Sequence, residues 1–232
     1  MTMYGLNPKR PQDLNDGQSL WVQEVFYTLQ GEGPFTGHPA VFVRLAGCNL
    51  SCFWCDTDFE SSDWRPTLDL LMEAVERIRP EHCQLIVITG GEPFRQNIAP
   101  LVVSLLDRNL KVQIETNGTL WVDLPEVPEL SIVCSPKTTY LHPQIRRRAN
   151  AYKYVIGASG CDPADGLPIA STQDRDRQCT IARPPADAEI YVMPLHVGNE
   201  QENENNVDQC VEIAKAFGYK LSLQTQKLAR FK

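Results

Sequence analysis

The sequence predicts an α/β fold built around a mostly parallel sheet, and three observations support this prediction. Short apolar or β-branched runs end in glycine, proline or polar residues, as strands do. Between several of these runs lie segments whose apolar residues recur every three or four positions, as on the buried face of a helix. Strand and helix alternate along the chain, which is typical of βαβ units. This order is compatible with an open doubly wound sheet and with a full or partial barrel.

The predicted elements follow from these patterns. The strands are Val22 to Thr28, Ala40 to Leu45, Leu85 to Thr89, Val112 to Glu115, Ser131 to Cys134, Tyr152 to Ile156, Glu189 to Met193 and Leu221 to Leu223. The helices are Leu68 to Ile78, Ile98 to Arg108 and Val207 to Phe217. Residues 157–185 are rich in Asp, Pro, Ser and Arg, and we expect irregular chain around one helix there. We expect a single domain, preceded by a polar extension over residues 1–19.

Composition and charge narrow the class of function. The formal net charge is -7 and the longest basic run is Arg146 to Arg148, which argues against nucleic acid as a ligand. No apolar stretch approaches the roughly 18 residues of a membrane helix, and residues 1–18 do not resemble a signal peptide. We therefore expect a cytoplasmic protein that binds no membrane. Five of the eight cysteines are scattered and are interpreted as free thiols without a chemical role: Cys83, Cys134, Cys161, Cys179 and Cys210.

The other three cysteines, Cys48, Cys52 and Cys55, follow a predicted strand and are spaced four and three residues apart. Thiolates are soft ligands, and three of them can hold a four-iron cluster while one iron stays open. A structural zinc site, a redox dithiol and coincidence are the alternatives. Zinc normally takes a fourth Cys or His at close spacing, and the nearest downstream candidates, His82 and Cys83, are distant in sequence. The sequence alone leaves a remote fourth zinc ligand possible.

An open iron can bind the amino and carboxylate groups of S-adenosylmethionine. One electron then cleaves the cofactor to methionine and a 5′-deoxyadenosyl radical, which abstracts hydrogen from a substrate. The run Leu85 to Thr89 continues into Gly90-Gly91-Glu92-Pro93, where two glycines permit close backbone approach to a ligand. Alone, this segment fits an ordinary strand-to-helix turn. After the cysteine triplet, it resembles the adenosylmethionine-binding loop of radical enzymes.

Polar groups also follow the later strands. These segments are Glu115 to Gly118, Ser135 to Lys137, Met193 to His196 and Gln224 to Gln226. In parallel α/β folds the loops at the carboxyl ends of the strands converge on one mouth, so we expect one site there. Each segment taken singly fits a turn or a cap, and Met193 alone fits the core.

Three segments together resemble one enzyme family. They are Phe26 to Gly33 (FYTLQGEG), Phe42 to Arg44 and Cys52 to Thr57 (CFWCDT), and through nearly its whole length the chain resembles the 7-carboxy-7-deazaguanine synthases. The resemblance implies an incomplete TIM-like (β/α) barrel of the radical adenosylmethionine type and a homodimer. It also implies magnesium-assisted conversion of 6-carboxy-5,6,7,8-tetrahydropterin to 7-carboxy-7-deazaguanine and ammonia, in queuosine biosynthesis. A flavodoxin-like protein would donate the electrons.

The resemblance also implies roles for individual residues. Cys48, Cys52 and Cys55 would bind the cluster and Thr57 magnesium. Contacts to adenosylmethionine would come from Trp54, Cys55, Asp56, Gly91, Ser135, Pro136, Lys137, Met193, Pro194, Leu195 and His196. Substrate contacts would come from Leu29, Gln30, Gly31, Glu32, Arg44 and Thr89, with Glu32 accepting ring N–H groups and Arg44 holding the carboxylate. Further candidates are Gly90, Glu92, Glu115 and Asn117. Without the resemblance, Arg44 fits a strand-end cation and Glu32 a solvated turn residue.

Two departures from the family pattern lie near the end of the sequence. Gln226 stands where the family usually has histidine in a Gln-Thr-His-Lys segment, and an amide cannot titrate near neutral pH. Residues 228–232 also differ, and a terminus that reached the site would place the carboxylate of Lys232 against the substrate. Two other functions stay open: a radical activase that installs a glycyl radical on a partner protein, and a zinc-stabilised binding module.

Overall fold

The computed structural model describes residues 7–173 and 180–232. Within these residues, eight strands form one sheet in the order of the chain. They are β1 (Val22–Leu29), β2 (Pro39–Leu45), β3 (Leu85–Gly90), β4 (Lys111–Thr116), β5 (Leu130–Cys134), β6 (Ala151–Ile156), β7 (Ile190–Pro194) and β8 (Lys220–Leu221). The first pair is antiparallel, and every later pair is parallel. Within the described ranges β1 and β8 do not pair, so the barrel is incomplete, which confirms the predicted fold class.

In the described part of the chain, five α-helices accompany the sheet: α1 (Leu68–Ile78), α2 (Ala99–Leu106), α3 (Pro143–Arg148), α4 (Glu200–Phe217) and α5 (Thr225–Ala229). The structure confirms α1 as predicted. Helix α4 begins at Glu200 rather than Val207, because Asn199 caps it by accepting a hydrogen bond from the Glu202 N–H. Helices α3 and α5 were not predicted, since each is too short to show a helical period.

The helix expected within residues 157–185 is absent from the described part of that segment. Instead, an isolated bridge joins Cys161 to Pro168, and Arg183 closes the loop with an ion pair of 2.7 Å to Asp165. Gly160 and Gly166 have positive φ angles, which interrupt helical backbone. Residues 157–173 and 180–185 are therefore irregular, and the predicted helix is wrong for these residues. Cys179 lies outside the described residues.

The two faces of the sheet differ in chemistry because side chains alternate along each strand. One face packs against the helices and carries the main core, which includes Val43, Ile88, Ile114 and Tyr154. The other face lines the inside of the barrel. It is apolar near the amino ends of the strands, at Ala40, Phe42, Leu85 and Val87. Toward the carboxyl ends the same inward positions become polar, at Arg44, Thr89, Gln113, Glu115 and Lys153.

The part of the N-terminal extension that the structure describes, residues 7–19, runs beside the cysteine loop. The Arg10 N–H donates to the Cys48 carbonyl at 2.7 Å, and Asn7 Nδ2 donates to the Thr57 carbonyl at 3.0 Å. The extension therefore supports this loop. No helix within residues 7–173 and 180–232 has the length and apolar character needed to cross a membrane.

Candidate active site

A cavity of about 310 Å³ opens at the carboxyl ends of the parallel strands. The structure brings most of the predicted site residues to it. Those that line it are Leu29, Gln30, Gly31, Glu32, Arg44, Trp54, Cys55, Asp56, Thr57, Thr89, Gly90, Gly91, Glu115, Asn117, Ser135, Lys137, Met193, Gln226 and Lys232. All six residues predicted to contact substrate are in this group. A single mouth formed by several loops is therefore present where the strand ends predicted it.

Several predicted residues do not line this cavity. They are Pro136, Pro194, Leu195, His196 and Glu92. His196 is exposed to solvent, and Leu195 donates its N–H to the Ile156 carbonyl at 2.7 Å. The structure thus leaves the roles of these residues as predictions.

The three cysteines of the motif line a second, smaller cavity of about 110 Å³, together with Gly90 and Gly91. Among residues 7–173 and 180–232, no Asp, Glu or His lines this cavity, so the donor set that the structure describes is soft and suits an iron–sulfur cluster. No three His, Cys, Asp or Glu side chains in the described ranges converge as ligands of a single metal ion. The three cysteines line a common cavity, which is what ligation of a multi-atom cluster requires.

The sequence also left a remote fourth zinc ligand open, with His82 and Cys83 as the nearest downstream candidates. Both precede β3, and β3 is parallel to the strand that leads into the cysteine loop, so they lie at the opposite end of the sheet. His82 Nε2 lies 3.2 Å from the Tyr27 hydroxyl, and Cys83 Sγ lies 3.5 Å from the Pro39 carbonyl. Neither residue can complete a metal site with the cysteine loop.

Gly90, the last residue of β3, and Gly91 pack against the end of β2 and the start of the cysteine loop. A Cβ at Gly91 would lie 2.2 Å from the Gly47 carbonyl oxygen and 2.9 Å from Cys48 Cβ. A Cβ at Gly90, where φ is +150°, would lie 2.2 Å from the Leu45 carbonyl oxygen. The close approach that the sequence predicted is therefore made to the backbone of this loop. Approach to a ligand stays a prediction for this pair.

Glu92, which follows these glycines, is fully buried and ties the loop to the end of β4. Its carboxylate accepts hydrogen bonds from the Thr116 hydroxyl and the Asn117 N–H, both at 2.7 Å, and from the Phe94 N–H at 3.0 Å. Burial raises the pKa of Glu92 to about 7, and these hydrogen bonds oppose the rise only in part. Its observed contacts order the strand ends around the cavity.

A buried cluster of charged side chains forms one wall of the large cavity. Lys153 Nζ lies 2.5 Å from Glu32 Oε2 and 3.7 Å from Glu115 Oε2. Burial would raise the pKa of Glu32, but the charge of Lys153 and the hydrogen bonds from Lys153, Gln224 and Gln226 outweigh it and hold the pKa at about 2. Burial lowers the pKa of Lys153, but the two glutamates outweigh burial and raise it above its ordinary value. Glu32 is therefore an ionised acceptor inside the cavity.

The sequence prediction missed several residues that line this wall or support it: Lys153, Gln113 and Lys227. Gln224 belongs to a segment that was predicted to reach the site, and its Nε2 donates to Glu32 Oε1 at 3.0 Å. Lys153 was inside a predicted strand, between two tyrosines, and a lone charge at an alternating position of an apolar strand was the available signal. Gln113 is fully buried, and its Nε2 donates to Glu115 Oε1 at 2.9 Å. Gln30 Nε2 donates to the same oxygen at 3.0 Å. The amide groups thus fix the position of Glu115.

Two cations share one carboxylate at the rim of the cavity. Arg44 Nε lies 3.0 Å from Glu24 Oε1, and Lys232 Nζ contacts the other oxygen of Glu24. Both cations also lie near the Phe26 ring, with Lys232 Nζ 4.3 Å from its centroid. The Lys232 carbonyl accepts a hydrogen bond of 2.8 Å from the Thr28 hydroxyl. Arg44 and Lys232 therefore form a cationic rim.

Another part of the rim is formed by residues of the cysteine loop and by residues that follow β5. Lys137 Nζ donates to the Ser135 carbonyl at 2.8 Å and lies 5.7 Å from the centroid of the Trp54 ring. Burial lowers the pKa of Lys137. Asp56 forms an ion pair of 2.7 Å with Lys227, and the Thr57 hydroxyl donates to Asp56 at 3.3 Å. Charged and hydroxyl groups therefore border the cysteine cavity on the side of the large cavity.

Comparison with known proteins agrees with this geometry. Residues 43–132 match the model of the Radical SAM superfamily, and this range contains the three cysteines and both glycines. A 7-carboxy-7-deazaguanine synthase of Rhodospirillum rubrum is 54% identical to the chain, over 98% of this chain and 99% of the relative. The Rickettsia prowazekii enzyme of the same name is 38% identical, over 97% of this chain and 94% of the relative. The chain belongs to the 7-carboxy-7-deazaguanine synthase family.

A solved structure of the same family supports the fold. The crystal structure of QueE from Escherichia coli superposes with a TM-score of 0.63 at 26% sequence identity, covering 88% of this chain and 93% of that chain. The incomplete barrel and the family membership are therefore supported independently, by shape and by sequence. As a member of the radical SAM superfamily, the chain is an enzyme that uses an iron–sulfur cluster and S-adenosylmethionine.

This member of the synthase family has Gln226 where the histidine of the usual pattern stands. Its Nε2 donates to Glu32 Oε1 at 2.8 Å, and its Oε1 is buried without a hydrogen-bond partner among the described residues. A Cβ at Gly31 would lie 1.9 Å from this Oε1, so the glutamine side chain packs directly against the glycine. The amide therefore orients Glu32 through its Nε2 and packs against Gly31 through its Oε1.

Proposed function

We propose that the chain catalyses the radical ring contraction of 6-carboxy-5,6,7,8-tetrahydropterin to 7-carboxy-7-deazaguanine, with loss of ammonia. One observation carries the proposal. The same cavity is lined by the substrate set Gln30, Glu32 and Arg44 and by the adenosylmethionine set around Trp54 and Lys137. A reaction in which a cofactor-derived radical abstracts hydrogen from a bound molecule needs both partners in one enclosed space.

Cys48, Cys52 and Cys55 would hold the four-iron cluster, and Trp54 to Asp56, Gly91, Ser135 to Lys137 and Met193 to His196 would contact adenosylmethionine. When bound, the cluster and cofactor supply a 5′-deoxyadenosyl radical. The polypeptide orients and encloses the reactants. The ring of Trp54 and the buried ammonium of Lys137 form one wall, and Met193, buried at the end of β7, forms an apolar surface. These groups favour a ligand that is partly apolar and carries an anionic group.

Glu32 would recognise the pyrimidinone edge of the pterin. Its carboxylate is ionised, and three hydrogen bonds from Lys153, Gln224 and Gln226 leave capacity for a further N–H donor. The backbone of Leu29 and Gly31, the Gln30 amide and the Thr89 hydroxyl would complete the set of polar contacts. Lys153 acts here as a positioning residue, since it holds Glu32 in place and keeps it charged.

Arg44 would bind the pterin carboxylate, and Lys232 would add positive charge to the same rim. Because Glu24 holds only the Nε side of Arg44, we propose that the outer nitrogens form a forked pair with a carboxylate. The Thr57 hydroxyl would contribute one oxygen to magnesium, whose octahedral shell also takes substrate and water oxygens. We further propose a homodimer, a flavodoxin-like electron donor and a cytoplasmic location.

The test is an anaerobic assay of the iron-reconstituted full chain with carboxytetrahydropterin, adenosylmethionine, magnesium and a reductant. We expect a deazaguanine chromophore and stoichiometric ammonia. Cys52→Ala is the negative control and should cleave no adenosylmethionine. A protein that holds zinc and shows no iron–sulfide absorbance would overturn the proposal, as would adenosylmethionine cleavage without any change of the pterin. The second outcome would favour the activase alternative.

A further inference from the structure

We infer that Thr172 and Gln173 set the reduction potential of the cluster in the cysteine loop, because both side chains donate hydrogen bonds to the sulfur of Cys52. The inference rests on the proposed ligation of a cluster by the three cysteines. It assigns a function to the irregular segment between β6 and β7, which the sequence left without one.

The two donors approach Cys52 closely. Thr172 Oγ1 lies 3.0 Å from Cys52 Sγ, and Gln173 Nε2 lies 3.2 Å from the same sulfur. Neither residue lines the cavity that the three cysteines enclose, so the donors reach the sulfur from a different side. A cysteine sulfur bound to a metal still has lone pairs that accept hydrogen bonds. Both contacts are therefore compatible with a bound cluster.

Hydrogen bonds between the segment and the loop hold the donors in place. The Phe53 N–H donates to the Thr172 carbonyl at 3.2 Å, and the Ser51 N–H donates to Gln173 Oε1 at 2.9 Å. Gln173 Nε2 also donates to Thr172 Oγ1 at 2.9 Å. The Thr172 hydroxyl has one proton to donate, and Cys52 Sγ is its nearest acceptor, since the Lys137 carbonyl lies farther away at 3.4 Å. The hydroxyl is thus oriented toward the sulfur.

The other two cysteines lack comparable side-chain donors among the described residues. Cys48 Sγ is 3.4 Å from the Leu50 N–H and 4.0 Å from Asn117 Nδ2. Cys55 Sγ is 4.0 Å from Asn7 Nδ2. Within residues 7–173 and 180–232, the strongest hydrogen bonding to the three sulfurs is therefore at Cys52, and it comes from one pair of adjacent side chains.

The two hydrogen bonds raise the reduction potential of the cluster. A low-potential carrier protein loses one electron, and the cluster gains it together with one unit of negative charge, part of which resides on the cysteine sulfurs. Hydrogen bonds to an acceptor strengthen as its negative charge grows. The two donors therefore stabilise the reduced cluster more than the oxidised cluster, and they raise its potential. A higher potential increases the fraction of reduced cluster that a given carrier maintains, and it lowers the driving force of the next electron transfer, to adenosylmethionine, by the same amount.

The experiment is a redox titration of the reconstituted full-chain enzyme, monitored by electron paramagnetic resonance. Thr172→Val keeps the shape of the side chain and removes the hydroxyl. At a fixed ambient potential we expect roughly a three- to tenfold lower ratio of reduced to oxidised cluster, about 30 to 60 mV at 59 mV per decade for one electron. Gln173→Leu should shift the ratio in the same direction, and Thr172→Ser, which retains the hydroxyl, should match the wild type.

Thr138→Val is the matched control, because that hydroxyl donates to the Tyr140 carbonyl at 3.0 Å and not to sulfur. An unchanged potential in Thr172→Val or Gln173→Leu with full iron content overturns the inference. So does a Thr172→Ser shift as large as that of Thr172→Val. Loss of the cluster in both Thr172→Val and Gln173→Leu also overturns the inference, since the two residues would then be needed for assembly of the cluster. A wild-type chain without any cluster rejects the proposed function instead.

Discussion

Lys153 Nζ and Glu32 Oε2 lie 2.5 Å apart inside the barrel, although the two residues are separated by 121 positions in the chain. Their side chains are 6% and 15% exposed, so neither charge is well hydrated. A buried ion is tolerated only when it is paired and hydrogen-bonded, and each residue therefore depends on the other. The same pairing keeps a charged acceptor available in the proposed pterin site.

Lys153→Met should destabilise the protein and weaken substrate binding. Removing one partner of a buried pair costs about 3–5 kcal/mol in the free energy of unfolding, because the other charge is left uncompensated. Denaturant unfolding measures that loss, and steady-state kinetics should show a raised KM for the pterin. Lys153→Arg should recover part of both. Lys215→Met, at an exposed ion pair with Glu212, is the control and should change neither value. Equal KM values in Lys153→Met and the wild type would exclude the positioning role.

Arg44→Ala should impair substrate binding while the cluster stays intact. A hydrogen bond between charged groups contributes about 1.5–3 kcal/mol, so we expect roughly a ten- to hundredfold rise in the Kd of carboxytetrahydropterin. Arg44→Lys keeps the charge but loses the fork, and its Kd should be intermediate. The control ligand is tetrahydropterin without the carboxylate, whose affinity should be the same in the wild type and in Arg44→Ala. Equal losses for both ligands would show that Arg44 does not contact the carboxylate.

Gly31→Ala should displace the Gln226 side chain from Glu32. The new Cβ would lie 1.9 Å from Gln226 Oε1, at the far end of a flexible side chain, so the amide moves and the backbone stays. We expect a several-fold higher KM for the pterin with an unchanged melting temperature and iron content. Gly198→Ala is the matched control, because no atom lies within 4 Å of its added Cβ. A wild-type KM in Gly31→Ala would contradict the proposed part of Gln226 in binding.

Glu92 should make the stability of the protein depend on pH in a predictable window. The pKa of Glu92 in the folded state, about 7, lies above the ordinary value of 4.5. The stabilisation that the protonated side chain gives to the folded state is therefore present in full below pH 4.5 and is lost as pH rises through 7. Between pH 5 and pH 7.5, the free energy of unfolding of the wild type should fall by about 2 kcal/mol relative to that of Glu92→Gln, whose side chain cannot titrate. Denaturant unfolding of both proteins at the two pH values measures this difference. The same difference at both pH values would rule out the raised pKa.

Much of the site was predictable because the relevant residues follow strands directly. Short apolar runs lead directly into the cysteine loop after β2, the glycine pair at the end of β3 and the polar ends of β4, β5 and β7. Parallel strands bring such ends together. The short helices α3 and α5 were missed because five or six residues do not complete two helical turns. The helix expected between β6 and β7 is absent from residues 157–173 and 180–185, because composition alone does not distinguish a loop fixed by Arg183 from a helix.

By itself, the sequence determined the α/β class and the end of the sheet where the site lies, and it predicted a soft-metal loop at Cys48, Cys52 and Cys55. These features depend on spacing and periodicity, which are local properties of the chain. Only the tertiary structure decided that Lys153 meets Glu32, that Gln226 packs on Gly31 and that Thr172 reaches Cys52. Such contacts depend on strand register, on which face each side chain takes and on how far the barrel closes, and no short stretch of sequence encodes them.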